Sequence, residues 1–334
     1  MTHRVAAIDC GTNSIRLLIA DITTKEDSER GLGTRDPAQP EPAPLADIAR
    51  EMRIVRLGEG VDRTGRLSQA ALDRTMTALR EYAGLIEAAR PEAVRMVATS
   101  ASRDAANAAE FTERVVQVLG VAPEVISGED EAWLSFTGAT RELAGMPLAA
   151  AGACPPPYLV TDIGGGSTEF VLGGPGGIAG ARSVNIGCVR LTERHLHGDP
   201  PLPAETLATT QDVDAALDEA AGSVDTEKAS TLVGLAGSVT TVAAVALGLD
   251  RYLPERIHHA RISAARVHEI TGQLLGMTRA ERAAIPVMHP GRVDVIGAGA
   301  LILDRIITRF GFAEVLVSEH DILDGIAWSL VDVS

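Results

Sequence analysis

Apolar runs at residues 5–8 and 15–22 flank a polar turn near the start of the chain, and runs at 158–163 and 170–172 flank a second turn about half a chain length later. These short runs predict strands. Further strands are expected at 53–57, 94–98, 124–126, 181–186 and 315–317. Helical spacing is clearest at 69–89, where Leu72, Met76, Leu79, Tyr82 and Ile86 recur every three or four residues behind a Ser68 N-cap. Helices are also expected at 107–119, 129–143, 203–221, 239–247, 263–275, 279–285, 293–309 and 322–330. Strands interleaved with helices indicate α/β architecture. Two segments break the pattern. Residues 23–46 are rich in Pro, charge and small side chains and read as a surface loop or disordered insertion; residues 145–157 read as a Pro/Gly-rich connection.

The two turns match. The first lies in IDCGTNSIRLLIADI and the second in TDIGGGSTEFVL, so that Asp9 aligns with Asp162, Gly11 with Gly164 and Ser14 with Ser167. A unit used twice implies two similar domains facing each other across a cleft. A tight turn of Gly, Ser and Thr presents successive amides on one side, a nest that binds phosphate oxygens with help from the hydroxyls. An Asp ending the first strand suits a divalent cation, directly or through water. Three consecutive glycines cost backbone entropy and imply a close approach to that backbone. Neither turn is a Walker P-loop, because no Gly-Lys-Ser/Thr follows and no helix opens there; the dinucleotide fingerprint fails for the same lack of a helix.

Composition narrows the function. The chain has 334 residues, enough for two domains, and a formal net charge of −15. That charge argues against general nucleic-acid or anionic-membrane binding while leaving room for a local basic pocket. No apolar run reaches the ~20 residues of a membrane span. The N-terminus enters a strand at once and reads as carrying no signal peptide. Cys10, Cys154 and Cys188 lack metal spacing, which favours reduced thiols and a cytoplasmic setting. The pairs His195/His197 and His258/His259 bring no further ligands at recognised spacing, so they read as surface or cleft-rim side chains.

Several segments together resemble the exopolyphosphatase/guanosine pentaphosphate phosphohydrolase family of the sugar-kinase/actin superfamily. They are the two hairpins, VATSASRDAAN (97–107), VISGEDEAWLSF (125–136), NIGCVRLTER (185–194), GLAGSVTTVAA (234–244) and the tail from 295 to 330. The resemblance is to the short, two-domain actinobacterial type. It implies two actin-like (ribonuclease-H-like) domains around a central cleft, residues 1–128 carrying the first phosphate loop and 129–334 the second, with the last helix packing back on the first domain. It places the catalytic Glu of the family's SG-x-E-E-A motif at Glu131 and phosphate binding at Gly11, Thr12, Asn13, Ser14, Arg103, Gly164, Gly165, Gly166, Ser167 and Thr168. Asp9, Asp162 and Glu169 become the candidates for Mg²⁺, and Gly237 and Ser238 approach a nucleotide or distal phosphate. Arg16, Arg190, Arg194, Arg256, Arg261, Arg266 and Arg292 are possible further contacts for a polyanion. The implied substrate is inorganic polyphosphate, with guanosine pentaphosphate as the alternative, and the implied assembly is a homodimer. A small-molecule kinase and an actin-like assembly protein are the more distant alternatives.

Overall fold

The computed structural model describes residues 2–23, 45–143 and 154–331. Its eleven described strands form two sheets. The first has the order β3-β2-β1-β4-β5, from β1 (Thr2–Cys10), β2 (Ser14–Thr23), β3 (Leu45–Ile54), β4 (Ala93–Ala98) and β5 (Glu124–Val125). The second comprises β6 (Tyr158–Ile163), β7 (Thr168–Gly174), β8 (Gly177–Val184), β9 (Thr231–Leu235), β10 (Arg261–Ser263) and β11 (Glu314–Val317), ordered β10-β11-β9-β6-β7-β8. Without β10 the second order, β8-β7-β6-β9-β11, repeats the first strand for strand. In both, the first two strands pair antiparallel and the fourth adds parallel to the first. The duplication seen in the two turns therefore extends to the whole of each sheet, and the expected pair of actin-like domains is present.

The longer helices are α1 (Gln69–Ala89), α2 (Ala108–Leu119), α3 (Gly128–Thr140), α4 (Cys188–His195), α5 (Pro203–Ala221), α6 (Ala236–Ala246), α7 (Ala264–Gly276), α8 (Ile296–Phe310) and α9 (Ile322–Ser329). Side chains alternate across each strand, so each sheet buries two faces. Ile8, Leu17 and Ile19 pack on α1 and α2 through Leu72, Met76 and Phe111. Val5, Ala7, Leu18 and Ala20 pack on α9 through Ile322, Ile326 and Trp328. In the second sheet Leu159, Phe170 and Leu172 face α5, α6 and α8, while Val160, Val171 and Val233 face α3 through Ala132, Phe136 and Ala139.

Two helices thus lie between the sheets and exchange places. α3 follows the first sheet in sequence but packs on the second, and α9 follows the second sheet but packs on the first. They cross where each has a glycine. A Cβ on Gly138 would sit 1.9 Å from the Asp321 carbonyl oxygen, and one on Gly325 would sit 2.0 Å from that of Leu134.

Several expectations are corrected. The strand expected at 53–57 is the end of a longer strand, Leu45–Ile54, whose start lies in the segment read as a loop. It is an edge strand with no buried residue and many charges, so it carries no apolar alternation. Residues 55–58 instead clasp the first turn: Val55 and Arg56 amides donate to the Asn13 carbonyl, at 3.0 and 2.8 Å, and the Gly58 amide to that of Thr12, at 2.9 Å. Residues 24–44 of the expected insertion and 145–153 of the expected connection lie outside the described residues. β9, β10, α4 and the short helix Ser100–Asp104 were not anticipated; each is too short for its period to register. The α1 boundaries and the Ser68 cap are as expected, with Ser68 Oγ accepting from the Ala71 amide at 3.2 Å.

The helix crossing gives a first prediction. Gly325→Ala forces a methyl into the Leu134 carbonyl, an overpacking cost of about 2 kcal/mol or more. Chemical denaturation should show that loss, whereas Gly84→Ala, whose Cβ meets open space within α1, should not lower stability.

Candidate active site

Both turns are built alike. The Gly11 amide donates to the Ser14 carbonyl at 3.0 Å, and the Gly164 amide to the Ser167 carbonyl at 3.0 Å. The turns face and touch each other. A Cβ on Gly165 would lie 2.9 Å from Thr12 Cβ, and one on Gly166 would lie 2.6 Å from Ser100 Oγ. None of Gly164, Gly165 and Gly166 has a left-handed φ. The glycine run is therefore a requirement of space, and what approaches it is the other turn. On its far side the second turn caps α4: the Cys188 amide donates to the Gly164 carbonyl, and those of Val189 and Arg190 donate to that of Gly165. Gly187 permits this contact, since its Cβ would be 2.4 Å from the Gly165 carbonyl. Among the described residues the amides of Thr12, Asn13, Gly165 and Gly166 donate no hydrogen bond. They are unspent donors of the kind that anions attract.

A pocket of about 90 Å³ opens between the turns, lined by Gly11, Thr12, Asn13, Ser14, Gly164, Gly165 and Ser167, with Asp9, Asp162, Glu131, Arg16 and Arg292. Glu131 stands in the first turn of α3. That turn is fixed by a capping box in which Ser127 Oγ accepts from the Asp130 amide and the Asp130 carboxylate accepts from the Ser127 amide. Asp130 is thus a helix cap, and Glu131 is the buried acid on the pocket side.

The register of the hairpins sets the electrostatics. In the first, Asp9 pairs across the strands with Arg16; in the second, Asp162 pairs with Glu169. Asp9 Oδ2 accepts from Arg16 Nε at 2.9 Å and Nη2 at 2.6 Å, and Arg16 Nη1 donates to Asp321. The second hairpin sets two carboxylates opposite each other, a destabilising arrangement. Only hydroxyls attend them: Ser135 Oγ donates to Asp162 Oδ2 and Ser183 Oγ to Glu169 Oε1, both at 2.7 Å. Burial and then Asp162 push Glu169 up to about 8; burial and then Asp321 push Asp162 up to about 6. Burial, then Glu169, raises Glu131 well above the carboxylate range, against the opposing pull of Arg103. Asp9 is raised by burial and lowered in part by Arg16. Hard oxygen donors held in mutual repulsion fit a small divalent cation.

The remaining expected residues are distributed as follows. Gly166, within the second turn, and Thr168, at the start of β7, do not line the pocket; Thr168 Oγ1 donates to the Ile186 carbonyl. Arg103 is not on the pocket wall; its Nη1 donates to the Ile126 carbonyl at 3.0 Å and to Glu131 Oε2 at 3.3 Å. Of the seven arginines put forward from the sequence, Arg16 and Arg292 line the pocket. Arg190 instead braces the second turn, donating to the Gly166 carbonyl and to Asp62 and Asp104 of the first lobe. Gly237 makes room for Arg292, whose Nη2 would be 2.3 Å from a Cβ there. Sequence reasoning missed Asp321, Ser135 and Ser100. Their places depend on the helix crossing and on a five-residue helix, and neither leaves a periodic trace.

A second cavity of about 450 Å³ adjoins the first and shares Arg16, Gly237 and Arg292 with it. It adds Arg50, Arg251 and the apolar side chains Met52, Tyr252, Val287, Met288 and Leu323. Away from both, His258 stacks on His259 with ring centres 3.7 Å apart and lies 4.6 Å from His320. This clustering with Glu142 was not anticipated. The Glu319 amide donates to His258 Nδ1, so the ring proton sits on Nε2 and points to Glu142 Oε2 at 3.1 Å. His258 thus forms a hydrogen-bond clasp between the Glu319 amide and Glu142.

Residues 38–333 match the model of the Ppx/GppA phosphatase family. The chain belongs to the Ppx/GppA phosphatase family. It is 49% identical over 336 residues to exopolyphosphatase 2 of Mycobacterium tuberculosis, covering 98% of each chain. Among solved structures, an exopolyphosphatase-like protein superposes with a TM-score of 0.87 at 41% identity, 98% of each chain being covered. The Aquifex aeolicus PPX-GPPA enzyme superposes with a TM-score of 0.76 at 31% identity, over 98% of this chain and 100% of that one.

The opposed acids give a prediction with a definite sign. Glu169 binds its proton in the folded state up to about pH 8, but in the unfolded state only to about 4.5, the ordinary value for a glutamate. The folded state therefore holds more protons between these values, and stability falls as pH rises through them. Metal-free protein should melt lower at pH 8.5 than at pH 6. Glu169→Gln should flatten that slope and raise the midpoint at pH 8.5 by roughly 2 °C or more. Equal slopes for both proteins in thermal melts with chelator would contradict the assignment.

Proposed function

We propose that the protein is an exopolyphosphatase that releases terminal phosphate from inorganic polyphosphate by attack of water. The observation that carries this reading is the convergence of two facing turns with unspent amides on one buried acid, Glu131. Gly11, Thr12, Asn13 and Ser14 on one side and Gly164, Gly165 and Ser167 on the other take the phosphate oxygens. Arg16 and Arg292 supply fixed positive charge at the rim. Glu131 accepts the proton of the attacking water, a role that its raised proton affinity suits. Asp162 and Glu169 hold Mg²⁺, with Asp9 near it but already engaged by Arg16. The ion, when bound, neutralises phosphate charge in the transition state. The reading divides the chain at residues 128 and 129, with α9 reaching back onto the first lobe. It also takes the protein as a cytoplasmic homodimer, which light scattering of the purified chain would check.

The second cavity favours one further substrate. Its apolar wall beside four arginines suits a nucleoside joined to phosphates, which keeps guanosine pentaphosphate as the alternative. Phosphate release from long polyphosphate, short polyphosphate and guanosine pentaphosphate, each with and without Mg²⁺, separates the two. Release from polyphosphate should dominate and should need the ion.

Glu131→Gln should lower kcat by about 100-fold or more while leaving polyphosphate binding intact. Phosphate release near the wild-type rate would remove Glu131 from the catalytic role.

A further inference from the structure

The five-residue helix Ser100–Asp104 touches each working part of the site. Ser100 Oγ lies 2.8 Å from Thr12 Oγ1 in the first turn, and Asp104 accepts from Arg190, which braces the second turn. Between them, Arg103 reaches Glu131. We propose that Arg103 is a positioning residue for Glu131, tying its carboxylate to the Ile126 carbonyl, and that it does not grip phosphate. The inference rests on Glu131 being the proton acceptor.

The geometry supports it in three ways. One nitrogen, Nη1, serves both the Ile126 carbonyl and Glu131 Oε2, at 3.0 and 3.3 Å. Ile126 precedes the Ser127 cap and Glu131 lies in the turn that follows it, so the guanidinium clamps the start of α3 from outside. Second, Thr99, Ser100 and Glu131 line the pocket but Arg103 does not; it stands behind the acid, with its side chain 26% exposed against 11% for Glu131. Third, Glu131 is surrounded by acids: Asp9 on β1, Asp162 on β6 and Glu169 on β7. Arg103 is the one cation that forms an ion pair with it among the described residues. Without that pair the carboxylate loses the one ion pair that it makes, among the described residues, amid those three acids.

The test compares wild type with Arg103→Gln, Arg103→Lys, Glu131→Gln and the double variant Arg103→Gln/Glu131→Gln, using phosphate release from polyphosphate with Mg²⁺. Arg103→Gln should lower kcat about tenfold or more and leave KM within about twofold. Arg103→Lys restores the charge and should recover part of kcat, which keeps the test alive should the Gln variant fold poorly. With Glu131 already replaced, Arg103→Gln should cost little more, because the two act as a unit. A tenfold rise in KM with kcat unchanged would make Arg103 a phosphate grip and overturn the proposal, as would full additivity in the double variant. Wild-type kcat in Glu131→Gln would instead sink the reading of Glu131 itself, and this inference with it.

Discussion

The close crossing of α3 and α9 is the contact on which the site depends. Each helix packs on the sheet that its neighbours in sequence do not form, so the two lobes are tied by exchange rather than by a linker alone. Gly138 and Gly325 let the backbones meet, and nothing larger than hydrogen fits at either position. The crossing seats the second half of α3, from Leu134 to Gly138, on the first turn of α9, where Asp321 caps the helix and accepts from Arg16. Glu131, at the start of α3, and Asp321, which holds Arg16, therefore stand on two helices joined by one backbone contact.

The duplication is exact in topology and broken in charge. At equivalent register positions the first hairpin sets Asp9 against Arg16 and the second sets Asp162 against Glu169. The first pair neutralises itself; the second stores repulsion. Two identical turns would give a symmetric cradle with no preferred end. Exchanging one residue across a strand gives the cleft a neutral side and an acidic side, and the acidic side is the one facing Glu131. Strain of this kind persists where the rest of the fold over-determines the geometry, here through the hydroxyls of Ser135 and Ser183. Gly128 at the start of α3 leaves room for Ser183, whose Cβ a methyl there would meet at 2.5 Å.

Much of this was legible in the sequence because it is local. Turn chemistry, the D-x-G-x-x-S repeat and the capping pattern at Ser68 each lie within a few residues. The reason for the glycines was not legible. Gly165 and Gly166 exist because Thr12 and Ser100 press on them, and no local pattern records partners so far away along the chain. The surroundings of Arg103 were hidden for the same cause: no local pattern shows that the Ile126 carbonyl and Glu131 engage it. β3 escaped because an edge strand sheds its apolar alternation, and α4 escaped because its first turn is capped by a remote loop rather than by a local side chain.

A polyanion entering this cleft meets more acid than base. Asp9, Glu131 and Asp162 line the pocket, Glu169 stands behind them, and of the two arginines on the wall Arg16 is already divided between Asp9 and Asp321. A chain with a net charge of −15 adds a repulsive field at longer range. On the proposed reading the unspent amides of the two turns carry only partial charges and cannot by themselves reverse that balance. On that reading, a divalent cation at Asp162 and Glu169 would do two things at once: it would remove the repulsion stored in the second hairpin and would turn the acidic side of the cleft into one that attracts phosphate. Occupancy by the ion and admission of the substrate would then be a single electrostatic event, with the opposed acids linking them.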